Sequence, residues 1–283
     1  MENKIEHFKP DFFVPGAAKS GTTTLHDLLN THHDISMSKD KEPVYWNNKL
    51  FRQFKLFEVS RYANLFEKNR KIKGESTTSY MYYDSFISNI KANFEYSPKF
   101  IFVLRNPVDR YVSHVNWLKG LGLEKKDVNQ VINEDDWANF SEYDDYPKQY
   151  YQFGLYNKWI TRFIKNFGKQ NIKIITFEQL ISDRLKTLNS CYEFLGVEKV
   201  DNLKFIRSNK SKKIIFPFIY HFLRKSSVGK TKCTKIVKYV LPKKIREKIK
   251  GLLKYTLQNW IAVESKNNKI TFENRKILSN VYQ

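Results

Sequence analysis

The sequence predicts an α/β protein, a parallel sheet covered by helices on both faces. Three observations carry that expectation. Short apolar runs suited to buried strands recur along the chain, at Phe12–Val14, Lys99–Leu104 and Ile172–Phe177. Helical patterns alternate with them. A small glycine-containing turn, Gly16 to Gly21, joins the first run to a helix start at Thr22–Thr24. In such sheets ligands bind at the carboxyl ends of the strands, where this turn falls.

In order, the strand at Phe12–Val14 leads to a helix over Thr23–Thr31. A short strand is expected at Lys71–Glu75, and a helix over Tyr80–Phe94. After the Lys99–Leu104 strand, Pro107 suits the first turn of a helix over Val108–Lys119. Helices follow at Lys148–Phe167 and, beyond the third strand, at Arg184–Leu195, where Gly196 supplies a C-terminal stop. Residues 1–203 thus read as the α/β core and 204–283 as a basic, mostly helical C-terminal region packed on the same domain. That region holds two basic stretches, Phe216–Lys225 and Ile236–Trp260, and ends in a helical pattern at Asn274–Gln283 without a stop signal.

The chain has 283 residues, of which 41% are hydrophobic, enough to build a full core. Its net charge of +21 is concentrated: Lys204 to Lys254 holds seventeen Lys/Arg and one acid, Glu247. Such a block attracts an anionic membrane surface, an anionic glycan or a multiply phosphorylated cofactor, or stays a solvated surface. Nucleic acid is not expected, because no helix-turn-helix, zinc-finger or RNP-type pattern accompanies the charge. Cys191 and Cys233 fit no metal spacing and suggest a reducing compartment. The opening residues are polar and mixed in charge, unlike a signal peptide, and no apolar run reaches a membrane span. A cytoplasmic protein, peripheral to the membrane where the basic region engages lipid, is the expectation.

Chemistry concentrates in the first turn. A helix N-terminus presents free N–H groups and a favourable dipole to an anion. Lys19 sits inside the turn, within reach of a bound phosphate. The spacing is not that of a nucleotide-kinase loop, whose lysine follows the second glycine; here Lys19 precedes Gly21. A second segment, Lys99–Trp117, sets Arg105 directly after a strand and Ser113 eight residues on, in the next helix, so that guanidinium and hydroxyl can converge on one phosphate. A salt bridge from Arg105 to Asp109 is the structural alternative.

Gly16-Ala17-Ala18-Lys19-Ser20-Gly21-Thr22-Thr23 resembles the phosphosulfate-binding loop of the sulfotransferases that use 3′-phosphoadenosine 5′-phosphosulfate (PAPS), with Ala18 where proline is usual. The Arg105/Ser113 pair resembles the family's 3′-phosphate motif. His33-Asp34-Ile35 with Lys41-Glu42-Pro43 resembles the HPDI…KEP segment of the glycan (heparan-type) and bacterial branch. Gly74-Glu75 through Tyr80 resembles a further family motif. The resemblance implies a P-loop-like parallel sheet and transfer of a sulfuryl group from PAPS to a carbohydrate or glycolipid acceptor, without a metal. It implies that Ser20, Gly21, Thr22, Thr23 and Thr24 cradle the 5′-phosphate, that Lys19 neutralises the leaving oxygen, and that Glu42 is the general base. Phe177, where the family often has tyrosine, would contact adenine, and Lys212 lies where the family has a basic loop closing over the cofactor. Tyr45 and Trp46 either line the acceptor cleft or pack.

Three alternatives stand beside this reading. A small-molecule sulfotransferase would use a histidine base. His114 is the rival, although His32, His33 and His114 each read more simply as capping or surface residues. A nucleotide kinase or NTPase is disfavoured by the lysine position. A non-enzymatic polyanion- or membrane-binding protein would leave two ordered phosphate motifs unexplained.

Overall fold

The structure, a computed structural model, describes residues 6–48, 51–53, 56–134, 148–203, 212–214, 262–264 and 269–283. The expected basic helices at 216–225 and 236–260 lie outside the described residues. The described residues divide into two compact units. One comprises residues 1–114, 135–208 and 275–283, the other 115–134 and 209–274.

The first unit is built on a five-stranded sheet in which every neighbouring pair is parallel. The strands are β1 (Phe12–Gly16), β2 (Ile35–Met37), β3 (Ile72–Ser76), β4 (Lys99–Leu104) and β5 (Ile172–Thr176), in the spatial order β2-β3-β1-β4-β5. From β1 the chain passes to the edge strand β2 and returns to β3 between them, then crosses to β4 and β5 on the other side. That reversal places a crevice beside the carboxyl end of β1.

Alternation along the strands separates two cores, because successive strand side chains point to opposite faces. Phe13, Phe100 and Phe102 pack with Trp46, Tyr80, Phe86 and Phe163 on one face. Phe12, Val14, Ile101, Val103 and Ile175 pack with Leu25, Leu28, Leu188 and Tyr192 on the other. Both faces are covered, which is why these strands read as continuous apolar runs.

The helices are α1 (Thr22–Leu29), α2 (Leu56–Ala63), α3 (Asp84–Asn93), α4 (Pro107–Gly120), α5 (Val128–Glu134), α6 (Tyr156–Phe167), α7 (Phe177–Ser182), α8 (Arg184–Leu195) and α9 (Phe272–Val281). Helix α8 matches its expected bounds and ends as read, with Gly196 at φ 82° closing it. Helix α1 buries Leu25, His26, Leu28 and Leu29, a stripe at helical spacing.

Several elements differ from expectation. The helix expected over Tyr80–Phe94 splits into a 3-10 turn, Thr78–Met81, and α3. The one expected over Lys148–Phe167 likewise becomes a 3-10 turn, Gln152–Gly154, and α6. Strand β2 and helices α2 and α5 were not anticipated. Three residues, as in β2, are too few to show alternation.

In the second unit, α5 begins after Asp127, whose Oδ1 accepts from the Asn129 and Gln130 N–H groups. The unit also contains an antiparallel pair, β6 (Lys212–Ile214) with β7 (Ala262–Glu264). No described helix is long and apolar enough to cross a membrane.

Candidate active site

The turn after β1 is shaped by close approaches. β1 bulges against β4, two steps of its partner opposing three of its own. The Ala17 N–H then donates to Val103 O at 2.9 Å. Lys19 adopts a left-handed conformation at φ 67°, and Gly21 follows at φ 92° as the N-cap of α1. A β-carbon at Gly21 would lie 2.6 Å from the Phe177 ring, so glycine is required by space and by φ. The first bond inside α1 runs from Leu25 N–H to Gly21 O at 3.1 Å. No side chain caps the helix and no acid lies in its first turn. The N–H groups of Thr22, Thr23 and Thr24 therefore face the turn as an anion site. Ser20 is fully buried in it. Burial draws the Lys19 pKa down to about 8; Glu42 opposes the fall, while Lys41 and Arg105 add to it.

Arg105 closes the other side. Its guanidinium lies 4.8 Å from the centroid of the Phe177 ring, a cation–π contact. Its Nη1 also donates to Lys19 O at 3.4 Å. Its own carbonyl accepts from the Tyr156 hydroxyl at 2.9 Å, which holds the strand end. The alternative salt bridge is not formed: Asp109 pairs with Arg275 at 2.8 Å. Arg110 is structural, fully buried and hydrogen-bonded to Tyr150 O.

Phe177 does not end the third strand as expected. It opens α7, because Thr176 and Gln179 form a reciprocal capping box, with hydrogen bonds of 3.0 and 3.1 Å. The Thr-x-x-Gln spacing was the overlooked signal. Ser113 is half-buried on α4. Lys212 belongs to the second unit, where its backbone pairs with Glu264 in β7. Lys19, Gly21, Arg105 and Phe177, from three separate segments, thus meet at the carboxyl ends of β1, β4 and β5. Arg105→Ala is expected to weaken binding of a phosphorylated ligand by roughly ten- to a hundredfold, the loss of one charge-assisted contact of about 1.5–3 kcal/mol. Calorimetric titration checks this, and unchanged affinity would remove Arg105 from the site.

Glu42 reaches the same region from the loop after β2. Its N–H donates to Ser76 O at 2.9 Å, and its backbone is left-handed at φ 58°. Val44, β-branched, is also left-handed at φ 54°. Such positions persist only where surrounding contacts over-determine them. Lys41 Nζ donates to Glu42 Oε1 at 2.9 Å, and Thr78 Oγ1 donates to the same oxygen at 3.0 Å. Oε2 is left without a hydrogen bond among the described residues. Burial alone would raise the carboxyl pKa, but Lys41, Thr78 and Lys19 together hold it below the usual carboxylate range. An ionised carboxylate with one oxygen anchored and one open is suited to accept a proton.

The histidines behave differently from expectation. His114 is buried rather than capping or exposed, with its ring on Phe153 and its Nδ1 3.4 Å from Arg110 Nη1. Burial and the charges of Arg110 and Lys19 push its pKa well down, so it is neutral. His32 is also buried and bonded to Glu198 O at 3.0 Å, whereas His33 is exposed. Tyr45 and Trp46 pack: Tyr45 stacks on Tyr62 at 3.8 Å, and Trp46 is fully buried. His26, which no sequence signal marks, is buried on α1 with Nδ1 3.0 Å from Ser76 Oγ. The hydrogen-bond cluster around Glu75 is likewise unmarked in the sequence.

Comparison with known proteins gives the family. The family described as "Sulfotransferase domain" matches residues 9–283. Carbohydrate sulfotransferase 15 of Rattus norvegicus is 23% identical over 254 residues, covering 68% of this chain and 45% of the relative. Heparan sulfate glucosamine 3-O-sulfotransferase 3B1 of Homo sapiens is 25% identical over 213 residues, covering 72% of this chain and 50% of the relative. The chain therefore spans half or less of the length of these relatives. A crystal structure of a sulfotransferase from Alicyclobacillus acidocaldarius superposes with a TM-score of 0.59 at 22% identity, covering 79% of this chain and 92% of that one. That likeness concerns the fold.

Proposed function

Because the chain belongs to the sulfotransferase domain family, we propose that it moves a sulfuryl group from PAPS to a hydroxyl of a carbohydrate acceptor. The observation that carries the reading is the convergence of Lys19, Gly21, Arg105 and Phe177 on one anion-binding turn, with Glu42 coupled electrostatically to Lys19.

The residues present fit such a donor. The uncapped start of α1 suits a phosphate, and Phe177 offers a ring face beside it. Arg105, with Ser113 on α4, would hold a second phosphate. When bound, the donor supplies an activated sulfuryl group on a phosphate leaving group. The protein's own part is positioning and charge stabilisation. Lys19 would place its ammonium where negative charge grows on the leaving oxygen. Glu42 would take the acceptor proton on Oε2 while Lys41 and Thr78 hold Oε1. The carbohydrate acceptor is supported by the KEP-type segment carrying Glu42 and by the names of the two relatives. A lipid-linked glycan is the same chemistry on a different carrier.

The first test needs no acceptor. Adenosine 3′,5′-bisphosphate is expected to raise the melting temperature, since a ligand that binds only the native state stabilises it by mass action. ATP, lacking the 3′-phosphate, is expected to stabilise less. Equal stabilisation by the two would count against the PAPS reading and favour a nucleotide kinase.

A further inference from the structure

Glu75 is a fully buried acid on β3 that the chemistry above does not use. Its surroundings are directional. The Trp46 indole N–H donates to the Tyr62 hydroxyl at 3.0 Å, and Tyr62 donates to Glu75 Oε2. The Trp46 backbone N–H donates to the Tyr80 hydroxyl at 3.0 Å, and Tyr80 in turn bonds Glu75. Thr77 Oγ1 donates to Glu75 Oε1 at 2.6 Å. Both phenols already accept a hydrogen from Trp46, so their own hydrogens point to Glu75. Three hydroxyls thus converge on the Glu75 carboxyl.

The segment these bonds hold is the one that holds Glu42. Ser76, next to Glu75, accepts the Glu42 N–H through its carbonyl, and Thr78 donates to Glu42 Oε1. We propose that Glu75 is a positioning residue for Glu42. It fixes the Ser76–Thr78 backbone against which the acid is anchored. This rests on the reading of Glu42 as the base.

The groups facing Glu75 are Tyr62 from α2, Thr77 and Tyr80 from its own segment, and Glu42 from the loop after β2. His26 reaches the neighbouring Ser76 from α1, where burial and Lys41 press its pKa down to about 4 and keep it neutral. Burial raises the Glu75 pKa to about 7, Thr77, Tyr62 and Tyr80 oppose the rise, and Glu42 adds to it. Glu42, with its lowered pKa, is already charged where Glu75 titrates, so the repulsion between them is felt by Glu75.

The experiment is a side-chain carboxyl titration of the ligand-free full chain by ¹³C NMR, with Glu42→Gln identifying the Glu42 signal. In Glu75→Gln the Ser76–Thr78 segment loses its anchor and the Thr78 bond that lowers the Glu42 pKa is weakened, so the Glu42 titration is expected to move up in pH. An unmoved or downward titration overturns the proposal. If Glu75→Gln does not fold, Tyr62→Phe serves instead. Losing a donor disfavours the carboxylate, so the Glu75 titration must move up in pH; an unmoved one overturns the proposal. The functional reading is judged separately by sulfate transfer from PAPS. A shifted Glu42 titration in a chain that transfers no sulfate leaves the coupling standing and removes the functional reading. Normal transfer with an unshifted titration removes the coupling alone.

Discussion

Glu42→Gln is expected to lower turnover by roughly 10²–10⁴ while leaving donor affinity near wild type. The substitution keeps the shape and the Oε1 position, so Lys41 and Thr78 retain an acceptor for their hydrogen bonds. What is lost is the basic oxygen. Because Lys41, Thr78 and Lys19 overcome the effect of burial, Glu42 is ionised throughout the neutral range and needs no activation. The wild-type rate contribution from this group is present above its lowered pKa and disappears as pH falls through it. Steady-state kinetics at saturating donor, with a separate binding titration of adenosine 3′,5′-bisphosphate, would measure the two effects. His114→Gln is the comparison. His114 is neutral but enclosed by Arg110, Tyr150 and Phe153, so its substitution is expected to lower stability rather than kcat. A large kcat loss at His114 with a near-normal Glu42 variant would reverse the assignment.

Lys19→Ala is expected to lower turnover by roughly 10²–10³, the usual effect of removing one group aimed at developing negative charge. The effect should fall mainly on kcat, because the ammonium matters most as the leaving oxygen becomes anionic. A second signature follows from its pKa of about 8. In the ligand-free protein the ammonium is complete below that value and is lost as pH rises through it. A bound phosphate favours the charged form, so binding above pH 8 takes up a proton. Affinity for adenosine 3′,5′-bisphosphate should therefore fall as pH rises past about 8 in the wild type, and should be flatter in Lys19→Ala. Calorimetry in buffers of different ionisation enthalpy would detect the proton. Normal turnover of Lys19→Ala at saturating donor would sink this role.

The parallel α/β class, strand β4 and helix α8 with its Gly196 stop were legible in the sequence. So was the uncapped turn after β1 with Lys19 inside it, whereas Glu42 and Phe177 were singled out only through the family resemblance. The physical reason is that these features are local. A strand buried on both faces must be apolar throughout, and a left-handed helix stop selects glycine. A helix start that binds an anion needs small residues and a nearby cation within a few positions. Tertiary structure alone decided the rest. It split the Tyr80–Phe94 and Lys148–Phe167 patterns, because periodicity does not register where a 3-10 turn interrupts a helix. It also set Arg105 over Phe177, seventy-two positions later in the chain, where strand adjacency rather than spacing makes them neighbours. Above all it buried Glu75 and His114. A glutamate or histidine looks the same in a sequence whether water or three hydroxyls surround it. Only the packing of α2, the 3-10 turn and the loop after β2 determines which of these acids and bases are charged.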